Sequence, residues 1–474
     1  MLDESVRYLI VFSGSALILA LFLLSPMRSV MYIIVFQKVI DIFWFIKVNV
    51  AGFPLSVQRA VYAVLPFILL PITLFEGAKR KIPFPMPMIK LLMVLFVVWY
   101  ILGILRGYGE MHQYAVEALF KLISGLTMFG IGWFYFDDED KYDKFAKLFI
   151  FTYLITFSGV MLQFLGIFKM ADIGVGQQTE SGTGVEELLG TERTARYPGF
   201  YNDGGTSSMY LFTVLPLCLY FIYKREQPRW LYYAFFAMGI TGLILSFVRG
   251  SWLTAIVILT AWLFINKEYI KIISGIGVVT LLIAAETFLG KFFRLFFGDI
   301  FASVEAGKLV GISGKAVRIE IVMDHFYSLD FFSKLFGEGF GSASKAISAV
   351  TGNPLEATET DFVNYLHDFG IFGFLLYYLI PTISLFLIWR HVRQCESKPF
   401  YDDALRLKYC VSFAMFAGSF IAYFGSGTKW VSFTFPLWFL AGFALKPPAY
   451  YALRRFEQES NVVHIQPKLA SQLY

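Results

Sequence analysis

A succession of long apolar runs constrains this chain more than any other feature of its sequence. A transmembrane helix needs about 20 predominantly apolar residues, and hydrophobic residues make up 57% of this 474-residue chain. Charged residues are only 16%, against about 25% in ordinary soluble domains. The composition excludes a soluble enzyme, a disordered chain and a small disulfide scaffold. The sequence therefore predicts an all-α polytopic membrane protein.

The apolar runs and the polar stretches between them define the expected organisation of the chain. Candidate spans lie near 8–24, 29–46, 55–75, 89–105, 113–136, 146–167, 208–223, 229–247, 250–266, 270–288, 362–389, 406–424 and 429–445. Lys38 and Asp41 weaken the second span, so 12 and 13 transmembrane helices both remain open, and with them the side of the N-terminus. We expect a single membrane domain, 1–474, with two large loops over 169–207 and 290–360, the second with short helices.

Basic residues in short loops indicate which side of the membrane each loop faces. They cluster in the segments 76–90, 224–229 and 390–408 and in the tail from 446 onward. These segments fall on one side of the predicted topology, and the positive-inside rule assigns that side to the cytoplasm. The loops 169–207 and 290–360 then face outward. The net charge of +5 is what such cytoplasmic loops produce, and it indicates no nucleic-acid partner.

Four polar clusters fall on the predicted outer side. They are Arg193 and Arg196 with Asn202 and Asp203, Arg249 between two spans, Arg318 before Gly337, Gly339 and Gly341, and Glu359 and Asp361 ahead of His367, Gly370 and Gly373. Guanidinium groups bind pyrophosphate bidentately and keep their charge. Helix starts near 208 and 251 would add backbone N–H donors, and a carboxylate at the membrane boundary can accept a proton from a hydroxyl. The clusters predict a site for an anionic ligand.

Each of these residues also has a purely structural interpretation. Arg249 would extend its charge to the lipid headgroups, and Arg318 would lie on an amphipathic interfacial helix over about 315–329. Glu359 and Asp361 suit a helix N-terminus, where the helix dipole favours negative charge. His367 would be a helix-packing residue.

The same holds for the remaining polar residues. Arg193 and Arg196 would solvate a loop, and the three glycines from Gly337 to Gly341 would form a turn first and a phosphate cradle second. No set of histidines, cysteines and carboxylates has metal-ligand spacing, so the sequence predicts no bound metal.

In this order and on this topology, the four clusters resemble the bacterial O-antigen polymerase and O-antigen ligase superfamily, the Wzy and WaaL families. The resemblance covers about 50–445. It comprises Arg196-x-x-Gly199-Phe with Asn202-Asp203, Ser246-x-x-Arg249-Gly, Arg318 before Gly337-x-Gly339-x-Gly341, and an acidic residue eleven positions before Gly370-x-x-Gly373.

This resemblance implies a GT-C-type integral membrane glycosyltransferase of the bacterial inner membrane, acting at the periplasmic face. The two outward-facing loops would then be periplasmic. Its donor would be a glycan on undecaprenyl pyrophosphate, and it would need no metal and no other cofactor. The acceptor would be another lipid-linked repeat unit in a polymerase and lipid A–core in a ligase. A chain-length co-polymerase is a further partner that the resemblance implies.

The resemblance also assigns roles to residues. Arg249 and Arg318 would stabilise charge on the leaving pyrophosphate, and the remaining polar residues would bind substrate, namely Arg193, Arg196, Asn202 and His367. Ligases carry His-Asn where this chain has Glu359-Thr360 followed by Asp361, which favours the polymerase branch. The general base stays open, with Glu359 first, Asp361 second and His367 third.

A lipid-linked oligosaccharide flippase is the alternative from a different functional class, because such transporters also have twelve or more spans. A transporter is expected to place charged residues at mid-membrane, often in paired broken helices. The spans between 208 and 288 carry charge almost only at their ends. That distribution favours a surface-facing site over a translocation path.

Overall fold

The computed structural model describes most of the chain as helix. The described residues are 4–24, 26–43, 46–50, 53–56, 71, 75, 87–107, 125, 127–167, 197, 199–201, 204–246, 248–284, 315–351, 361–397, 402–424 and 431–460. Outside these ranges lie most of the predicted span 55–75, residues 113–124 and 126 of the predicted span 113–136, most of the loop 169–207, and residues 290–314 and 352–360 of the second loop.

The elements follow one another along the chain as follows. They are α1 Glu4–Leu24, α2 Pro26–Ile42, β1 Lys47–Val50, β2 Phe53–Ser56, α3 Pro87–Leu105, α4 Glu139–Thr152, α5 Leu154–Phe164, α6 Gly204–Lys224, α7 Arg229–Ser246, α8 Arg249–Ile265, α9 Tyr269–Ala284, α10 Lys315–Ser328, α11 Phe331–Phe336, α12 Ser342–Thr351, α13 Asp361–Ser397, α14 Asp403–Phe424, α15 Val431–Ala444 and α16 Pro448–Ser460. Residues 127–135 are also helical.

Four of the described helices are long and apolar enough to cross a membrane. They cover Glu139–Phe164, Gly205–Lys224, Phe362–Ser397 and Asp403–Ala422. Shorter apolar helices cover Ile89–Leu105, Gly250–Ile265 and Phe433–Ala444. The prediction of a helical membrane protein is confirmed to this extent.

Within the described residues, a β-hairpin departs from the predicted all-α fold. Strands β1 and β2 form an antiparallel hairpin, in which Lys47 pairs with Ser56 and Val50 pairs with Phe53. In β1 polar and apolar residues alternate, with Val48 buried and Asn49 exposed, which is the two-residue period of a strand. Helix α2 therefore ends at Ile42, before the predicted end of the second span.

Helices α8, α13 and α14 form a packed layer. Gly418 of α14 faces Ile258 and Thr254 of α8, while Cys410 lies 3.9 Å from Asn266, so α8 and α14 are antiparallel. The ring pairs Tyr378–Phe420 and His391–Tyr409 show that α13 and α14 are antiparallel as well. Consequently α8 and the main part of α13 run in the same direction.

The start of α6 joins this layer at the end where α8 begins. The Oγ atoms of Ser208 and Ser251 are 2.5 Å apart and buried. We call this end of the bundle the α8-start end.

The opposite end of the bundle carries a network of ion pairs, and we call it the charged end. The pairs are Lys224–Asp143 at 2.6 Å, Lys147–Glu226 at 2.7 Å, Lys267–Glu396 at 2.9 Å, Lys408–Glu139 at 3.3 Å and Arg455–Glu139 at 2.7 Å. Residues of the basic segments 224–229 and 390–408 and of the tail take part in this network. A shared end for these segments is what the positive-inside pattern requires.

The charges that weakened the second predicted span are buried inside the bundle. The Nζ atom of Lys38 lies 3.3 Å from Thr152 Oγ1 and 3.3 Å from the centroid of the Phe149 ring. Asp41 accepts a hydrogen bond of 2.5 Å from the hydroxyl of Tyr210. Buried charges are tolerated when they have such partners, so these two residues fix how α2 packs against α4 and α6.

Candidate functional site

The chain reverses direction within α13, at Gly370. That glycine has φ 69° and ψ −178°. The rings of Tyr365 and Tyr377 stack at 4.1 Å, and those of Phe362 and Phe374 are 5.0 Å apart. Residues twelve apart in a continuous helix are separated by about 18 Å along the axis. Residues 361–369, which we call the folded-back segment, therefore lie antiparallel against the first turns of the helix that follows.

A glycine turn locks this reversal. Gly337, Gly339 and Gly341 all have positive φ, which confirms the predicted turn, and Gly339 N–H donates to Asp368 O at 2.9 Å. A Cβ on Gly337 would lie 2.4 Å from Asp368 O, and one on Gly370 would lie 2.4 Å from Gly337 N. Two backbones approach so closely here that only glycine fits.

Helix α3 holds the same junction from the other side. Trp99 Nε1 donates to Phe369 O at 3.0 Å, and Phe340 N–H donates to Gly103 O at 2.9 Å. The junction therefore connects the second loop, the membrane helix α3 and the folded-back segment. The side chains that these elements carry are held in fixed relation to one another.

Helix α10, which confirms the helix predicted over about 315–329, runs parallel to the folded-back segment. Val322 and Val363 belong to one small buried cluster, and the ring of Phe326 lies 6.4 Å from that of His367. From Val322 to Phe326 and from Val363 to His367 the chain advances by four residues in the same sense. The two elements therefore run in the same direction.

This register places Arg318 near the start of α13. Arg318 lies about one turn before Val322, which shares a small buried cluster with Val363, so the parallel register puts Arg318 toward the start of α13. Arg318 is partly buried. The start of α13 is described by its backbone alone.

The starts of α8 and α13 lie at the same end of the bundle. Tyr378 is opposite Phe420 of α14, and Phe362 folds back to within 6.4 Å of the Tyr378 ring. Thr254 of α8 lies near Gly418 of α14. The backbone of Arg249, which begins α8, lies five residues and therefore about 7–8 Å beyond that level, so the starts of α8 and α13 are at the same end of the bundle.

Four predicted site residues lie outside the described ranges: Arg193, Arg196, Asn202 and Glu359. The end of the first loop is described next to them. Gly199 has φ 66° and its N–H donates to Gln163 Oε1 at 2.7 Å, and the Tyr201 hydroxyl bonds Thr156 at 2.8 Å. These contacts attach the end of the Arg196-x-x-Gly199-Phe motif to α5.

His367 is buried and bonded within the protein at both ring nitrogens. It is 1% exposed, with Nδ1 at 2.7 Å from Ser342 Oγ and Nε2 at 2.8 Å from His325 Nδ1. This environment matches the helix-packing interpretation of His367. Its ring has no nitrogen left for a sugar in this arrangement.

The hydrogen bonds around His367 have a fixed direction. Asp368 Oδ1 accepts from Ser342 Oγ at 2.9 Å and from Ala343 N–H at 2.9 Å, and Oδ2 accepts from Gly341 N–H at 3.0 Å. Because the Ser342 proton goes to Asp368, Ser342 must accept from His367 Nδ1–H. His367 Nε2 is then a lone pair, which accepts from His325 Nδ1–H.

Glu338 completes a group of side chains that the sequence did not reveal. One ligand atom from each of His325, Glu338 and His367 lies within 4.8 Å of the other two. They come from α10, the glycine turn and the folded-back segment, so their sequence spacing follows no metal motif. Only the reversal at Gly370 brings them together.

The turn between α10 and α11 is also defined locally. Asp330 Oδ1 caps α11 by accepting from Phe332 N–H at 2.8 Å and Ser333 N–H at 3.2 Å. The Ser333 hydroxyl together with these N–H groups holds the pKa of Asp330 below its ordinary value. The following residues Phe331 and Phe332 are 71% and 70% exposed, which leaves an apolar surface beside the candidate site.

No protein-family model matches this chain, and no curated protein matches it. The functional assignment therefore depends on the residues and on the geometry described above.

Proposed function

We propose that this protein is a GT-C-type membrane glycosyltransferase that polymerises undecaprenyl-pyrophosphate-linked oligosaccharide repeat units at the periplasmic face of the bacterial inner membrane. The observation that carries the proposal is the parallel alignment of α10 with the folded-back segment, which supports a position for Arg318 toward the start of α13. Arg249 begins α8 at the same end of the bundle. The opposite, charged end of the bundle would be the cytoplasmic side.

In this mechanism the arginines do the work that a metal ion performs in other glycosyltransferases. Arg249 and Arg318 would stabilise negative charge on the pyrophosphate as the bond from its oxygen to the anomeric carbon breaks. A single well-placed donor of this kind lowers a barrier by about 3–4 kcal/mol. Arg193, Arg196 and Asn202 would help to hold the donor.

The acceptor hydroxyl would attack the anomeric carbon from the face opposite the pyrophosphate and invert the configuration. As the new carbon–oxygen bond forms, the hydroxyl proton would pass to a carboxylate, Glu359 or Asp361. Asp361 is the first residue of the folded-back segment, and Arg318 lies in the first turn of α10. His367 would position neighbouring groups, because its nitrogens are already bonded to Ser342 and His325.

The exposed aromatic residues of α11 agree with a lipid-linked substrate. Phe331 and Phe332 form an apolar surface, and α11 is joined to α3 through a 3.0 Å hydrogen bond from Arg106 to Phe336 O. A long polyprenyl tail needs an approach from the bilayer, and aromatic side chains at the membrane boundary offer one.

If the protein were a flippase, the buried charges of α2 would be the candidates for binding its cargo. A transporter uses intramembrane charges to bind its cargo. Here Lys38 already contacts Thr152, and Asp41 already accepts from Tyr210. These partners favour a packing role, and the polymerase remains the better supported function.

Elongation by purified protein tests the proposal. Full-length protein in lipid nanodiscs is incubated with a chemically defined undecaprenyl-pyrophosphate oligosaccharide, with and without lipid A–core, and the products are separated by size. A polymerase gives a ladder on the lipid carrier, a ligase gives glycan on lipid A–core, and a flippase gives no new product. Only the first result supports the proposal.

Variants then test the assigned arginine. R318A should lower the initial rate at least about a hundredfold. R393A is the matched control, because Arg393 is a half-exposed arginine at the charged end, paired with Glu396. A near-normal rate for R318A at equal expression would remove Arg318 from the mechanism.

A further inference from the structure

The cluster of His325, Glu338 and His367 has the composition of a metal site. Two imidazoles and one carboxylate are a common ligand set for zinc, with a fourth position left for water. The three ligand atoms lie within 4.8 Å of one another, although the residues come from three separate elements. From this arrangement we infer that these side chains bind a zinc ion that ties α10, the glycine turn and the folded-back segment together.

The orientation of His367 supports this inference most strongly. Metal-bound histidines usually donate their second ring N–H to a polar group that fixes the tautomer and the ring plane. Here His367 Nδ1–H donates to Ser342, which donates to Asp368, and Asp368 is held by two backbone N–H groups. The buried ring therefore presents the lone pair of Nε2 toward the centre of the cluster.

His325 needs only a small change to share a metal ion with His367. His325 Nδ1 lies 2.8 Å from His367 Nε2, whereas two nitrogens on one tetrahedral zinc are about 3.3 Å apart, given Zn–N bonds of about 2.05 Å. A shift of about half an ångström suffices. When the metal binds Nδ1 of His325, that nitrogen loses its proton to solvent and Nε2 of the same ring takes one up. Both imidazoles therefore stay neutral.

Glu338 supplies the carboxylate from a rigid position. Its backbone N–H donates to His367 O at 3.4 Å, and the neighbouring Gly337 and Gly339 have φ of 74° and 106°. The turn thus holds Glu338 directly beside the histidine. Nitrogen and carboxylate ligands of this kind favour zinc over magnesium or calcium, which prefer oxygen-only sites.

This ion would act by holding structure, and the inference does not depend on the proposed glycosyl transfer. His325 lies about two turns after Arg318 on the same face of α10. A metal bound to His325 would therefore fix the position of α10 against α13. Zinc removal is then expected to lower the melting temperature of the protein.

Direct metal analysis tests the inference. Full-length protein in detergent is stripped with EDTA, dialysed against zinc chloride and passed over gel filtration, and its zinc is measured by mass spectrometry. We expect about one zinc per chain for the wild type, a higher melting temperature with zinc than without it, and a tetrahedral cobalt spectrum when Co²⁺ replaces zinc. Wild-type protein that retains no zinc would overturn the inference.

Variants locate the ion. H325A and E338Q should lose at least tenfold in zinc affinity, and S342A should lose about ten- to a hundredfold because it only orients His367. D330N, which changes an exposed carboxylate nearby, and R318A should retain zinc. Equal zinc binding by H325A, E338Q and the wild type would also overturn the inference, whatever the outcome for polymer synthesis.

Discussion

Gly370 is the residue on which the candidate site most depends. Its φ of 69° allows the chain to reverse, and a side chain there would meet Gly337 N and Leu335 O at 2.4 and 2.5 Å. Without the reversal, the folded-back segment would continue along the axis of α13. It would then lie away from the glycine turn that it now contacts.

G370A should therefore destabilise the protein. A backbone at φ 69° and ψ −178° is essentially restricted to glycine and costs about 1–3 kcal/mol for a residue with a side chain, and the clash with two backbone atoms adds to that cost. We expect a clearly lower melting temperature in detergent. G275A is the control, since a Cβ at Gly275 meets nothing within 4 Å and alanine favours a helix. Equal melting temperatures for the two variants would contradict the described reversal.

Of the two predicted carboxylates, Asp361 is the one that lies in the described part of the chain. D361N keeps the size of the side chain and removes its capacity to accept a proton. If Asp361 is the base, kcat should fall by about 10²–10⁴ while donor affinity changes little. E359Q, made in parallel, identifies which carboxylate has this role. Unchanged kcat in both variants would exclude a carboxylate base from this segment.

The sequence predicted the types of residue at the site better than their arrangement. The positions of Arg318 on a helix and of Gly337, Gly339 and Gly341 in a turn followed from local patterns. The reversal at Gly370 did not, because one glycine inside an apolar run is compatible with a continuous helix. The group formed by His325, Glu338 and His367 depends on that reversal, so spacing could not reveal it.

At the scale of elements, buried and partly buried charges decide how the helices meet. The sequence indicated that Lys38 and Asp41 weaken α2 as a membrane span. The structure shows that both are satisfied by partners on α4 and α6. Hydropathy alone could not show this, since the partners Thr152 and Tyr210 lie more than a hundred residues away along the chain.

The charged end offers a direct test of such packing. Lys408 is 3% exposed and pairs with Glu139, which is 8% exposed, at 3.3 Å. K408M should cost about 1.5–3 kcal/mol of stability, because it removes a buried ammonium that faces Glu139 and Asp143, while Arg455 continues to pair with Glu139. K267M should cost less than about 1 kcal/mol, because Lys267 is 52% exposed and exposed pairs contribute little. Chemical denaturation in detergent compares them, and equal losses would contradict a buried network.

At the scale of the whole molecule, the bundle has two chemically different ends. One end gathers ion pairs among helix termini, and the other combines the starts of α6 and α8 with α10 to α12 and the folded-back segment. An ordered series of apolar runs and basic loops predicted this polarity from sequence. It also explains how residues more than a hundred positions apart, such as Arg249 and Asp361, reach the same end of the bundle.

Binding of undecaprenyl pyrophosphate to the purified protein tests the central claim most directly. Native mass spectrometry of the nanodisc-released wild type, R249A, R318A and R393A would compare undecaprenyl pyrophosphate with undecaprenyl monophosphate. We predict that R249A and R318A each weaken pyrophosphate binding at least about tenfold and reduce the preference over monophosphate, whereas R393A binds like the wild type. Equal pyrophosphate binding by all four proteins would contradict a diphosphate site formed by Arg249 and Arg318.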